Sequence, residues 1–294
     1  MKCTKAIIAV AGYGTRRLPI AKAVEKCMLP LLNRPVVDYA VQDCIKAGIR
    51  DIYFVVSGDA RQLRDYYEHQ PVLEDYLRAK GKNDLVAEIT PPSGVTFHYI
   101  SQDLSDGRYG TSIPVWLCRD YVEPGERVVI VMGDQTFYRQ DGESEAARMM
   151  KRIEEKGNEV KGCIMGNPIP WEQIDRFGII EVDDNGNYRR IVEHPQPGQV
   201  NTNLNNSSFY ILPDTFFSYL ERQISSGRTS QGEYYLIDAL NDFVADGQVV
   251  AVYQTDAEYL ECGSLDNWVR ANSWLMEHGL ADTANCSEEE GLKT

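Results

Sequence analysis

Four short apolar runs in the first half of the chain constrain its fold more than any other feature. Each has the continuous apolar character of a buried parallel strand: residues 5–11, 51–56, 95–100 and 127–132. Helical patterns separate the runs, and the first of them begins at Pro35 and ends at Gly48. Strands that alternate with helices predict a doubly wound, mixed but mostly parallel sheet of the Rossmann-like α/β class.

The pattern changes from Ser144 onward. A charged helical stretch over 144–156 precedes several short strands, and the turn Asp183–Asn187 between two of them is typical of a β-hairpin. Further helices are predicted near residues 215–223, 235–245 and 265–277, with strands at 207–212 and 249–253. We expect a single α/β domain over residues 1–280 with small hairpin and helical additions, followed by a flexible acidic tail over 281–294.

The net charge of the chain disfavours two classes of binding partner, and its cysteines indicate free thiols. The 44 acidic and 30 basic residues give a net charge of -14, which disfavours nucleic acid and anionic membrane surfaces. No apolar stretch reaches the ~18 residues that a membrane span requires, and no secretory signal is recognisable. The seven cysteines show no metal-binding spacing, so we expect free thiols in a cytoplasmic protein.

A glycine-rich turn follows the first apolar run directly. Gly12 and Gly14 let the backbone turn sharply and offer N–H groups to phosphate oxygens. The sequence matches neither the GxGxxG dinucleotide motif nor the P-loop motif. Four cations nevertheless lie within eleven residues of this acidic chain: Arg16, Arg17, Lys22 and Lys26. A Gly-x-Gly turn alone is usually structural, but the clustered cations favour a polyphosphate site.

These residues resemble a known motif. The segment Gly12–Arg16, followed by Lys22–Pro30, is similar to the GxGTR…PK-x-MLP motif of the sugar-1-phosphate nucleotidylyltransferases. The resemblance implies a nucleoside triphosphate substrate, Mg²⁺ and release of pyrophosphate. It assigns Arg16 to the leaving pyrophosphate and Lys26 to the α-phosphate under attack. It also implies a nucleotide-binding half over residues 1–143 and a sugar-binding half over 144–280.

The resemblance continues in order along nearly the whole chain. It assigns nucleotide binding to the first glycine turn and to a later Gln and glycine-rich turn that read the base: Ala11, Gly12, Gly14, Thr15, Gln102, Gly107 and Gly110. Amide and backbone groups suit a base that carries paired donors and acceptors. An ordinary loop before a helix would equally account for Gly107.

Asp134 closes the fourth apolar run, at the edge where open α/β sheets bind their ligands. An aspartate at such a position is usually a helix cap or a turn residue. The resemblance makes it a catalytic Mg²⁺ ligand together with Glu261, which stands in a Glu-x-Gly segment where the family has Asp-x-Gly. Carboxylate and phosphate oxygens are the ligands that Mg²⁺ prefers.

Three residues of the second half match sugar-phosphate-binding positions of the family. Gly178 would lie against the sugar, and Glu193 would accept hydrogen bonds from sugar hydroxyls. His194 replaces a family lysine that meets the sugar phosphate. Lysine is a cation at neutral pH, whereas histidine is mostly neutral. The segment Gly232–Asp238 matches a later family element that we expect to be structural, with some contact to the sugar region.

A helical insert over residues 73–89 resembles the uridylyltransferase branch, so UTP and glucose 1-phosphate are the expected partners. Another pair, such as a thymidylyl donor with its sugar phosphate, is the alternative. The replacements at His194 and Glu261 leave two hypotheses open. One is an active transferase with altered sugar preference, and the other is a nucleotide-sugar-binding homologue that has lost efficient catalysis. By analogy with the family, a homo-oligomer is also expected.

Overall fold

The computed structural model describes residues 1–134 and 136–278. In chain order the strands of this range are β1 Lys2–Ala9, β2 Pro30–Leu31, β3 Arg34–Pro35, β4 Asp51–Val56, β5 Thr96–Ser101, β6 Glu126–Met132, β7 Phe137–Tyr138, β8 Val160–Pro168, β9 Gly178–Val182, β10 Tyr188–Glu193, β11 Leu204–Pro213, β12 Val249–Gln254 and β13 Glu258–Tyr259. The α-helices are α1 Val36–Lys46, α2 Arg61–Tyr67, α3 Pro71–Ala79, α4 Asn83–Ile89, α5 Ser112–Leu117, α6 Glu145–Lys156, α7 Phe217–Ser225, α8 Leu236–Ala245 and α9 Leu265–His278.

One large sheet runs through both halves of the chain. Its strands lie in the order β10–β9–β11–β6–β1–β4–β5, and β8 and β12 extend it from β11. The four strands β6, β1, β4 and β5 pair in parallel, whereas β11 pairs antiparallel with β6, β8 and β9. The prediction of a doubly wound α/β fold with a mixed, mostly parallel sheet is confirmed.

Helices cover both faces of the sheet because alternate strand residues point to opposite sides. In β1, Ala6 and Ile8 join one buried cluster with side chains of α1, α2 and α6. Ile7, between them, joins a second cluster with α5, α7 and α8. All three side chains are fully buried, so β1 is the centre of the structure.

The sequence-based boundaries differ from the structure mainly at loops. The first strand ends at Ala9, which leaves Val10 and Ala11 in the loop that follows it. The helical pattern before the fourth apolar run corresponds to a short helix, α5, and a 3₁₀ turn over Arg119–Tyr121 follows it. The insert consists of two helices, α3 and α4, rather than one stretch. No helix among the described residues is long and apolar enough to cross a membrane.

The two-residue strands β2, β3, β7 and β13 were not predicted, because pairs this short carry no periodic signal. The tail over 281–294 lies outside the described residues. The division into a nucleotide-binding and a sugar-binding half stays a prediction.

Asp43 of α1 holds the start of α6 against the first half. Its carboxylate accepts hydrogen bonds from Ser144 Oγ at 3.0 Å and from the backbone N of Glu145 and Ala146 at 2.6 and 3.0 Å. Burial raises the pKa of Asp43 from 3.8 to about 6. The folded protein therefore keeps a proton on Asp43 at pH values where the unfolded chain has lost it.

We predict that Asp43 makes stability depend on pH. Between about pH 4 and pH 6 the folded state binds more protons at this site, so its contribution to stability falls as pH rises. The free energy of unfolding of the wild type, relative to Asp43→Asn, should decline by about 1–3 kcal/mol over this range. Urea denaturation at several pH values measures it, and a constant difference between the two proteins would contradict the assignment.

Candidate active site

The carboxyl ends of the central parallel strands meet at one edge of the sheet. Gly133, just after β6, donates its backbone N–H to the carbonyl of Ala9 at 3.0 Å. A Cβ on Gly133 would lie 2.3 Å from Val10 Cγ1, so any other residue here would force the Val10 side chain to shift. This contact fixes Asp134 beside the glycine turn of the first loop.

A cavity of about 340 Å³ opens at this edge. Seven of the residues predicted to bind nucleotide or metal line it: Ala11, Gly12, Arg16, Lys26, Gln102, Gly110 and Asp134. They come from loops that follow three different strands and from the 3₁₀ turn Lys26–Met28. The fold therefore assembles at one point a set of residues that lie far apart in the sequence.

Two cations in the cavity differ in their partners. Lys26 Nζ forms an ion pair with Asp134 Oδ2, and both side chains are mostly buried. Arg16 is exposed and its side chain forms no ion pair or hydrogen bond with the described residues. Arg16 is thus available to an anionic ligand, whereas Lys26 is held at the end of β6.

Gln102 supplies an amide to the opposite side of the cavity. It is 6% exposed, and its backbone N–H bonds to the carbonyl of Val56 at 2.8 Å. Its side-chain amide has no hydrogen-bond partner among residues 1–134 and 136–278. A buried amide without a partner that lines a cavity offers both a donor and an acceptor to a ligand.

The turn that carries Gly110 is tied to a distant segment. Tyr234 donates its N–H to the carbonyl of Tyr109 at 2.8 Å, and its carbonyl accepts from Ser112 N at 2.9 Å. A Cβ on Gly110 would lie 2.4 Å from Tyr234 O, which excludes a side chain there. The predicted structural role of the Gly232–Asp238 segment thus has a physical basis.

The small strand pair β7–β13 brings Glu261 toward Asp134. β13 pairs antiparallel with β7, and Leu260 N donates to the carbonyl of Thr136 at 2.9 Å. Burial raises the pKa of the Cys262 thiol to about 12, and the negative charges of Asp134 and Glu261 contribute in the same direction. Glu261 itself lines a second cavity of about 630 Å³, which also includes Phe177, next to Gly178.

The predicted sugar residues form a separate group. Gly178 and Glu193 are register partners of β9 and β10, and a Cβ on Gly178 would lie 2.6 Å from Glu193 Oε1. His194 has a positive φ of 50° and donates its N–H to the carbonyl of Phe177 at 3.1 Å. His194 Nδ1 lies 3.0 Å from the carbonyl of Asp175.

Not every predicted residue lines the 340 Å³ cavity. Those that do not are Gly14, Thr15, Gly107, Gly178, Glu193, His194 and Glu261. The cavity also includes residues that are not among the predicted site residues, such as Tyr109, Thr111, Ser208 and Glu233. Glu233 lies in the Gly232–Asp238 segment, and the resemblance of this segment to the family is the one sequence feature that indicates it. Ser208 sits where β11 changes register and has a positive φ of 52°, a feature that no sequence pattern indicates.

The fold and the site together define a nucleotide-transferring enzyme. A family model described as nucleotidyl transferase matches residues 5–278, and the chain belongs to that family. It is 32% identical over 275 residues to UTP–glucose-1-phosphate uridylyltransferase 1 of Staphylococcus saprophyticus, covering 92% of this chain and 91% of that protein. Among solved structures it is similar to the UDP-glucose pyrophosphorylase of Acinetobacter baumannii, with a TM-score of 0.81, 27% identity and 95% coverage of both chains. The UTP-bound enzyme of the same organism gives a TM-score of 0.80 at 26% identity, covering 95% and 94%.

Enzymes of this family generally use a divalent metal, and the site fits one. Asp134 uses one oxygen for Lys26 and Glu261 uses one for Asn267 Nδ2. The other oxygen of each carboxylate accepts no hydrogen bond within the described part of the chain. Gly263 makes room for Glu261, because a Cβ there would lie 2.8 Å from Glu261 Oε1.

The two carboxylates would hold such an ion only in part. The described residues contain no group of three or more His, Cys, Asp or Glu arranged to hold a metal on their own. A pair of carboxylates completed by substrate phosphates is the usual protein environment of Mg²⁺. The composition of the site therefore matches a cation that is bound together with a phosphorylated ligand.

We predict that the close contact at Gly133 cannot accept a methyl group. Gly133→Ala should lower the free energy of unfolding by about 1–3 kcal/mol, because the new Cβ overlaps Val10. Gly12→Ala is the matched control: its Cβ would meet no atom within 4 Å, so stability should change by at most about 0.5 kcal/mol. Urea denaturation compares them, and equal midpoints would show that the two strand ends are not in tight contact.

Proposed function

We propose that this protein joins UTP and glucose 1-phosphate to give UDP-glucose and pyrophosphate, with Mg²⁺ as its metal ion. The observation that carries the proposal is the convergence of Arg16, Lys26 and Asp134 in one cavity with the buried Gln102 amide, which has no partner within the described part of the chain. The named substrates of the similar enzymes support the choice of UTP and glucose 1-phosphate. The proposal includes a cytoplasmic location and a homo-oligomeric state.

The nucleotide would occupy the 340 Å³ cavity. The uracil ring has paired donors and acceptors that the Gln102 amide and the backbone around Gly110 can satisfy. Arg16 has no competing partner among the described residues and would bind the β- and γ-phosphates, which become pyrophosphate. Lys26 would partly neutralise the α-phosphate, because its ammonium group can share its hydrogen bonds between Asp134 and the ligand.

The reaction is a displacement at phosphorus. An oxygen of the sugar phosphate attacks the α-phosphorus of UTP, the bond to the bridging oxygen of the β-phosphate breaks, and pyrophosphate leaves with that electron pair. A divalent cation, when bound by Asp134 and Glu261, supplies charge neutralisation to both anions. The contribution of the protein is positioning and electrostatic stabilisation, so no covalent intermediate is needed.

The sugar phosphate would bind beside Gly178, Glu193 and His194. Because a carbonyl can only accept, the 3.0 Å contact with Asp175 O places a proton on His194 Nδ1. Nε2 can then donate to a phosphate only when the ring is a cation. The family lysine is always charged, whereas His194 can donate to the sugar phosphate only when its ring is protonated.

A second candidate function rests on the same contacts. Glu261 bonds to Asn267, Lys26 pairs with Asp134 and His194 bonds to Asp175, so three functional groups already have partners. A homologue that binds a nucleotide sugar without efficient turnover would also have such a site. Pyrophosphate release distinguishes the two functions.

The test is a coupled pyrophosphate-release assay with a matrix of nucleotides and sugar 1-phosphates. We expect the fastest release with UTP and glucose 1-phosphate. Faster release with thymidine triphosphate or with another sugar phosphate would replace the proposed pair. Absence of release with every pair, from a folded protein that binds UTP by calorimetry, would favour the binding function.

Arg16 provides the first residue-level prediction. Arg16→Ala should lower turnover at least about tenfold, since one charged hydrogen bond at a transition state contributes about 1.5–3 kcal/mol. Arg61→Ala, which removes a cation from the exposed surface, should leave turnover within about twofold. If folded Arg16→Ala turns over at the wild-type rate, Arg16 does not bind the pyrophosphate.

His194 provides a charge-dependent prediction. His194→Lys should lower the KM for glucose 1-phosphate, because lysine carries a permanent charge whereas His194 can donate from Nε2 to a phosphate only as a cation. His69→Lys on the surface adds the same charge and should leave this KM unchanged. Equal KM values for glucose 1-phosphate in wild type and His194→Lys would remove His194 from the phosphate site.

A further inference from the structure

The 630 Å³ cavity contains two asparagine side chains that the proposed reaction does not use. Asn205 of β11 and Asn167 of β8 both line it, and they are register partners on adjacent antiparallel strands. Residues directly opposite each other in such a pair place their side chains next to each other on one face of the sheet. The volume lies within the range of small-molecule sites, about 300–1,000 Å³. The two amides therefore lie side by side at the wall of a space large enough for a ligand.

Asn205 is the more informative of the two asparagines. It is 7% exposed, and its side-chain amide forms no hydrogen bond with any residue that the structure describes. The Asn167 amide likewise has no partner within residues 1–134 and 136–278. A buried amide has lost part of its hydration, which costs free energy unless another group accepts and donates the missing hydrogen bonds. The cavity is the space from which a ligand could supply them.

The two asparagines point away from the predicted sugar-phosphate residues. In β9, Ile179 pairs with Asn205, whereas the preceding residue, Gly178, pairs with Glu193. Successive residues of a strand point to opposite faces of the sheet, and paired residues share a face. The Asn205 amide and the Gly178–Glu193 pair are therefore on opposite faces, so the asparagines belong to a separate site.

The charged groups of the cavity favour a neutral ligand. Its lining includes the carboxylates of Glu258 and Glu261 and the guanidinium of the exposed Arg270. A further carboxylate, that of Asp256, forms an ion pair with Arg139. A nucleotide or another polyanion would meet more negative than positive charge here. Hydroxyl groups suit the site better, because they donate to carboxylate and amide oxygens and accept from amide and guanidinium N–H groups.

We propose that this cavity is a second ligand site, which binds a neutral saccharide through the paired amides of Asn167 and Asn205. The amides exchange hydrogen bonds with the sugar hydroxyls. Trp274, which is half-buried in the same wall, provides apolar surface for the C–H groups of the ring. The inference does not depend on the proposed function.

The experiment measures the binding of glucose and of maltose by isothermal titration calorimetry, without nucleotide. The wild type should bind at least one of them saturably. Asn205→Leu and Asn167→Leu replace an amide with an apolar group of similar shape, and each should weaken this binding at least about fivefold. Asn158→Leu makes the same change on the exposed surface and should have no effect. Glu193→Ala, on the opposite face, should also leave the affinity for the sugar unchanged.

Urea denaturation separates loss of the ligand contact from loss of the fold. Because the Asn205 amide has no partner in the described part of the chain, Asn205→Leu should unfold at a urea concentration no lower than that of the wild type. If Asn205→Leu does not fold, the asparagine holds the structure and Asn167→Leu alone decides the inference.

Three results would overturn the inference. The first is the absence of saturable binding of either sugar to the wild type, which would mean that water alone satisfies the amides. The second is an unchanged affinity in the folded asparagine variants. The third is loss of binding in Glu193→Ala but not in those variants, which would move the sugar to the predicted sugar-phosphate residues. Because the measurement needs no turnover, an inactive protein that binds a sugar through these asparagines would refute the proposed function alone.

Discussion

The ion pair between Lys26 and Asp134 is the interaction on which the geometry of the site depends. It joins the loop after the first strand to the end of β6, and both side chains are shielded from solvent. In such surroundings a charge pair is stronger than at the surface, and breaking it leaves a carboxylate uncompensated. The glycine turn, the cavity and the second carboxylate are all arranged around this contact.

Long-range connections complete the site from the other end of the chain. The β7–β13 pair lies just after Asp134 on one side and just before Glu261 on the other, so it sets the separation of the two carboxylates. Tyr234 likewise holds the turn around Gly110 in place, because its N–H donates to the carbonyl of Tyr109 and its carbonyl accepts from Ser112 N. Both connections use very short segments, and each depends on backbone groups rather than on side-chain chemistry.

The sequence predicted the central sheet well, because buried parallel strands such as β4 produce continuous apolar runs. Seven of the residues that the family resemblance assigned to a site line the cavity, because the loops that carry them meet at one edge of the sheet. Periodicity could not indicate the two-residue strands or the positive φ of Ser208, which arise from tertiary contacts. It likewise gave no sign that Arg17 is buried while its neighbour Arg16 is exposed.

The hydrogen bonds of Tyr234 tie the second half of the chain to the first. Residues 1–143 contain the glycine turn and Asp134, but Ser208 and Glu233 form part of the cavity wall and Tyr234 anchors the turn around Gly110. A fragment cut at residue 143 would also leave β6 without β11, as an unpaired hydrophobic edge that invites aggregation. The two halves are therefore not interchangeable modules, and recombination with a related enzyme at that boundary would break the wall of the 340 Å³ cavity as well as the large sheet.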